Sequence, residues 1–169
     1  MGPPAQPNGS TRVSFDTAGI RFAAPGGWHV QPGTAPLVAT VQSGTAPLVA
    51  TVQSGSAMIA VWRYPRTEPL PASRDQLTQA RDLLLQAAKA RDATFRPLKS
   101  AITRLGSHPA IQVRGTETVS GQARSVRSTH VYAFGAEVVV DAYAPADVFG
   151  RIDRAAFVPL VRSLKLRAP

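Results

Sequence analysis

His29, His108 and His130 are the imidazoles on which acid–base or metal chemistry would most readily be built, and the chain has no cysteine. Without Cys there is no thiol nucleophile, no zinc-thiolate site and no disulfide framework. No two histidines stand four residues apart, and none lies beside a pair of carboxylates, so a metal-ligand spacing is missing. His130 falls in an alternating stretch and reads as a residue lining one face of a strand. His108, before Pro109, reads as a turn residue, and His29, after Trp28, as a loop-edge residue. Serines and threonines are numerous, but no Gly-x-Ser-x-Gly elbow occurs, and no phosphate-binding or dinucleotide glycine motif. The sequence therefore presents no catalytic set, no metal site and no cofactor site. The nearest thing to an enzyme site is the scattered pair His130 and Asp141, which would matter if the fold brought both into a deep pocket within hydrogen-bond reach.

Asp141 stands among Val140, Ala142 and Tyr143. A buried carboxylate there needs a partner, and an Arg on the neighbouring strand is the expected one. The cations offer a second chemistry. Sixteen Arg and three Lys against ten acids give a net charge of +9, which favours anionic surfaces such as headgroups, cell-wall polymers or nucleic acid. The charges are spread out and form no basic run, which weighs against nucleic acid as a specific partner. Arg114, Arg124 and Arg127, on two strands joined by a Ser120-Gly121 turn, form with Arg104 the candidate anion-binding surface. The plainer reading of these four is a solvated sheet face. Trp28 and Trp62 read as core residues.

The elements that must position these groups begin with a repeat. The unit Gly-Thr-Ala-Pro-Leu-Val-Ala-Thr-Val-Gln-Ser fills residues 33–43 and again, unchanged, residues 44–54. Its alternation is that of a strand, and its period is too short for a solenoid unit. The second copy is the natural partner of a strand at 58–64. The first copy has three options: a bulged loop, an added edge strand, or a strand lent to another molecule. Doubling a loop costs only about 0.6 kcal/mol. Exposing Leu37, Val38 and Val41 forgoes roughly 1.5–3 kcal/mol for each large apolar residue, which favours a strand and, through an exposed edge, a homodimer.

The rest of the chain supplies strands at 12–16, 19–24 and 58–64, the last with two apolar faces and hence central. A helix begins at Ser73, whose spacing to Gln76 is that of a capping box, and fades near Arg91. Leu77, Ala80, Leu84, Ala87 and Ala88 form its apolar stripe. Four strands at 99–105, 110–119, 123–134 and 136–143, joined by tight turns, imply antiparallel pairing. Asp153 is placed to cap a closing helix, which Pro159 should kink. The fold class is thus α+β: an antiparallel sheet of about six to eight strands with one long helix and a C-terminal helix. Residues 1–11, rich in Pro and Gly, read as a flexible tether, and residues 12–169 as one domain. No apolar run reaches the length of a transmembrane helix.

Three segments carry a family resemblance. Residues 19–28 read Gly-Ile-Arg-Phe-Ala-Ala-Pro-Gly-Gly-Trp, residues 137–145 read Glu-Val-Val-Val-Asp-Ala-Tyr-Ala-Pro, and the closing helix runs from Phe157 to Ser163-Leu164. With the order of elements, this resembles the PsbP-like fold family, including bacterial lipoproteins of the LpqN type. The resemblance covers roughly residues 12–167, and the duplicated strand departs from it. It implies a binding or assembly role, with an unknown protein or an anionic surface as partner, and no catalytic residues to carry over. It also implies an extracytoplasmic bacterial location, by export or a lipid anchor.

Overall fold

The computed structural model describes residues 1–33 and 48–169. The first repeat copy beyond Gly33, and the first four residues of the second, lie outside the described residues.

Among the described residues, ten strands form two antiparallel sheets. A small sheet has the order β1 (Ser10–Phe15), β2 (Ile20–Pro25), β10 (Lys165–Leu166). A seven-stranded sheet has the order β3 (His29–Pro32), β4 (Leu48–Ser54), β5 (Ala57–Pro65), β9 (Ala136–Pro145), β8 (Gln122–Ala133), β7 (His108–Val119), β6 (Arg96–Leu105). The second repeat copy does pair with β5, from Ser54 opposite Ala57 onward, and β5 is an interior strand.

Tight turns set the register of the long strands. Ser120-Gly121 and Phe134-Gly135 are two-residue connections, and all four residues have positive φ, between 51° and 76°. That is the hairpin turn whose twist matches the strands it joins. It fixes Val119 opposite Gln122 and Ala133 opposite Ala136. Every later pair on β7, β8 and β9 follows from these two.

The large sheet is covered on both faces. On one, Val52, Ile59, Val61, Val131, Val138 and Val140 pack with Ile20 and Phe22 of the small sheet and with Phe157 and Leu160 of the C-terminal helical segment. On the other, helix α1 (Arg74–Arg91) packs over β6 and β7, where Leu77, Phe95, Ile111, Val113 and Tyr132 form a second apolar cluster. The capping box is present: the Ser73 side chain accepts from the Gln76 backbone N–H, and the Gln76 side chain accepts from the Ser73 N–H. Gly115 lets the Phe95 ring lie against β7, since a Cβ there would come within 2.5 Å of that ring.

Two expectations are corrected. The closing helix starts earlier, at α2 (Phe149–Ile152), so Asp153 is not its cap. The turn Asp153–Phe157 is widened, with Val158 N–H reaching back five residues to the Asp153 carbonyl, before α3 (Val158–Ser163) resumes. Pro159 has no N–H and would crowd the carbonyl four residues back; the widened turn lets the chain carry it at the start of α3. The N-terminal residues, expected as a tether, are held against the sheet. Pro4 is buried, Ala5 N–H donates to Ser54 Oγ at 2.9 Å, and Trp28 Nε1 donates to the Ala5 carbonyl at 3.1 Å.

Candidate functional site

The strand registers lay out the α1-side face of the sheet as a grid. One row runs Thr51, Ala60, Asp141, Ser128, Val113 across β4, β5, β9, β8 and β7. The next row on one side holds Gln53, Met58, Tyr143, Val126 and Gly115. The row on the other side holds Trp62, Val139, His130 and Ile111, and beyond it Tyr64, Glu137 and Tyr132. Between this face and α1 lies a cleft of about 410 Å³, walled by Leu84, Ala87, Ala88 and Arg91 of the helix.

A continuous polar chain forms its floor. Arg66 is hydrogen-bonded to Glu137. Glu137 Oε2 lies 2.6 Å from His130 Nδ1, His130 Nε2 lies 2.9 Å from Ser128 Oγ, and Ser128 donates to Asp141 Oδ1 at 2.6 Å. Burial works to raise the Glu137 carboxyl, but the His130 hydrogen bond and charge, with Arg66, hold it below the usual carboxylate range. With its proton on Asp141, Ser128 Oγ is an acceptor toward His130, not a hydroxyl whose proton His130 withdraws.

At one end of the cleft, Arg124 is paired with Glu117, and its guanidinium lies 4.0 Å from the centre of the Tyr143 ring. Tyr143 Oη donates to Met58 Sδ at 3.0 Å. At the other, Trp62 and Tyr64 are stacked with centroids 6.2 Å apart. Burial pushes the Tyr64 phenol up, with the carboxylates of Asp141 and then Glu137 adding to it. Burial also raises Tyr143, and there the Arg124 guanidinium opposes it.

His130 and Asp141 thus share one cleft, joined through Ser128, and the expected Arg partner of Asp141 is replaced by that hydroxyl. His108 packs edge-on to Phe134 and His29 is exposed on β3. Trp28 is buried, 6% exposed, whereas Trp62 is half-buried on the cleft face. The four arginines do not share a surface. Arg124 and Arg104 lie on the α1 side, Arg114 and Arg127 on the opposite face. Arg127 is buried and gives two hydrogen bonds to Asp153, at 2.6 and 2.7 Å, and one to Gln112. Arg114, directly opposite Arg127, lies over the Phe149 ring, and its Nε is buried without a hydrogen-bond partner among the described residues. Arg104 donates to the Ser107 carbonyl. A different set of cations does share a face: Arg12, Arg21 and Lys165 line a hollow of about 440 Å³ on the small sheet, with Lys165 directly opposite Arg21.

Sequence reasoning missed Ser128, Glu137 and Arg66. The signal for the first two was the Phe134-Gly135 turn, whose two-residue register places Ser128 opposite Asp141 and Glu137 opposite Tyr132. Arg66, beyond the end of β5, carried no such signal.

No protein-family model matches the chain, and no curated protein matches it. Solved structures do. Cyanobacterial PsbP from a Synechocystis species superimposes with a TM-score of 0.68 at 11% identity, over 94% of this chain and 93% of that one. LpqN, involved in cell-envelope biogenesis of Mycobacterium tuberculosis, gives 0.63 at 18% identity, over 95% and 91%. The Saccharomyces cerevisiae Ran-binding protein Mog1p gives 0.58 at 10% identity, over 96% and 97%. At these identities the likeness is one of architecture, and the chain has the PsbP-like α+β fold.

Proposed function

We propose that this chain is a non-catalytic binding or assembly module whose cleft between α1 and the sheet takes up a segment of a partner polypeptide. The observation that carries this reading is the cleft itself: an open groove whose floor is a fixed hydrogen-bonded chain and whose ends present aromatic rings. Such a surface offers shape and fixed polar contacts, which is what recognition requires. The fold likeness to a Ran-binding protein supports a binding role, and the likeness to an envelope-biogenesis protein supports an extracytoplasmic location, reached on this reading by export or a lipid anchor. Selection from a random peptide display library tests it. Selected peptides should lose binding to an Ala87→Trp variant, which blocks the groove from an exposed helix position, at unchanged melting temperature. Peptides that bind the blocked variant equally well, or a selection that yields none, would overturn the reading.

A second reading is an acyl-transfer site, for which Ser128, His130 and Glu137 lie in sequence in the cleft; it requires the Ser128 hydroxyl to turn its proton from Asp141 to His130 Nε2. Ester hydrolysis abolished by Ser128→Ala would support it over the first. A homodimer through the duplicated strand is supported by the repeat itself, which supplies two identical copies of one strand sequence. Light scattering on the chain with and without residues 33–43 tests this, a dimer only in the former being the supporting result.

A further inference from the structure

The charges of the cleft differ from those of the molecule around it. The chain carries nineteen Lys and Arg against ten acids, yet four of the acids and only three of the cations line the cleft. Two of those cations are engaged, Arg66 with Glu137 and Arg124 with Glu117. Asp141 is different. It is half-buried, its one hydrogen bond is from the neutral Ser128 hydroxyl, and no Lys, Arg or His nitrogen lies within 4.0 Å of it among the described residues. A partly desolvated carboxylate without a cation is costly, and a cation arriving from outside removes that cost.

The surroundings fit a particular cation. Directly across from Asp141 on β5 is Ala60, between Met58 and Trp62 on the same face of the strand. Ala60 is buried, 6% exposed, and puts no bulk beside the carboxylate. One face of Trp62 is stacked on Tyr64 and one face of Tyr143 carries the Arg124 guanidinium, so the two residues offer ring edges and their remaining faces to an alkyl stem or a charged head.

We propose that Asp141, with Ala60 directly across from it and the flanking Trp62 and Tyr143 rings, forms a site for one lysine or arginine side chain of a partner polypeptide. The inference rests on the cleft reading and specifies the chemistry of what enters. The +9 charge of the chain disfavours a polycationic partner; a single basic residue within an otherwise neutral or acidic segment is the class that fits.

The probes are three blocked tripeptides, acetyl-Ala-Lys-Ala-amide and its norleucine and glutamate counterparts, titrated into isotope-labelled protein and followed by amide and indole resonances. The lysine peptide should move the Trp62 indole and the Ala60 and Asp141 amides, and bind at least tenfold tighter than the norleucine peptide. Asp141→Asn keeps an acceptor for Ser128 and should lose that tenfold. Ala60→Leu, which adds bulk directly across from Asp141 and leaves the charge, should weaken the lysine peptide to a similar degree. Equal binding of the lysine and norleucine peptides, or unchanged lysine-peptide binding to both variants, would overturn the proposal. If the norleucine or glutamate peptide binds and Ala87→Trp blocks it, the cleft reading stands and only the cation is wrong. If no peptide perturbs any cleft resonance, both fall.

Discussion

Arg127 of β8 and Asp153 of the C-terminal helical segment are joined by two hydrogen bonds, Nε to Oδ1 at 2.6 Å and Nη2 to Oδ2 at 2.7 Å, across the buried face of the sheet. The pair ties the closing helical segment to the sheet that it covers. It also explains why Asp153 does not cap a helix and why Arg127 is not available to a ligand.

Removing one partner leaves the other charge buried, so Asp153→Ala should cost about 3–5 kcal/mol in urea unfolding. Replacing both, Arg127→Met with Asp153→Leu, should recover most of that loss, because desolvation of the ion pair offsets much of its attraction. A double variant as unstable as the single one would show that Gln112 and Arg114 depend on the pair.

Glu137 gives a signed pH dependence. Its folded carboxyl is held below its ordinary value near 4.5 by His130 and Arg66, against the opposing effect of burial. In acid the unfolded chain therefore takes up the proton first, and stability falls as pH drops. The contribution is full above about pH 4.5 and is lost as pH falls through the depressed folded value. Glu137→Gln should be less stable than the parent at pH 7, by ~1–3 kcal/mol, and the difference between the two should shrink as pH falls through the depressed folded value. Parallel curves would contradict this.

The N-terminal contacts predict a stability effect where the sequence reading expects none. Deleting residues 1–7 removes the burial of Pro4, the Ala5–Ser54 hydrogen bond and the acceptor of Trp28 Nε1. At about 1 kcal/mol for each lost hydrogen bond and ~2–4 °C for each kcal/mol in a chain of this size, the melting temperature should drop by several degrees. No change would restore the tether reading.

Most of the fold was legible because its signals are local. The capping box at Ser73 and Gln76, the alternation of β5 and the glycines that close the hairpins each act within a few residues. The site was harder because it depends on which face a residue occupies. Arg124 and Arg127 are three apart on one strand, and an odd separation sends them to opposite faces; parity alone separates the proposed arginine surface. The same parity, with the Phe134-Gly135 turn, aligns Ser128 with Asp141. By contrast, nothing local marks Asp153 as the partner of Arg127, since that pairing depends on how the helical segment packs.

The central claim is that the cleft between α1 and the sheet is where a partner binds. Its most direct test is an amide chemical-shift map of the labelled protein with a peptide selected for binding. The account predicts perturbations at Ala87, Val126, Ser128, Val139 and Asp141. Perturbations confined to Arg12, Arg21 and Lys165, with the cleft resonances unmoved, would contradict it and move the binding surface to the small sheet.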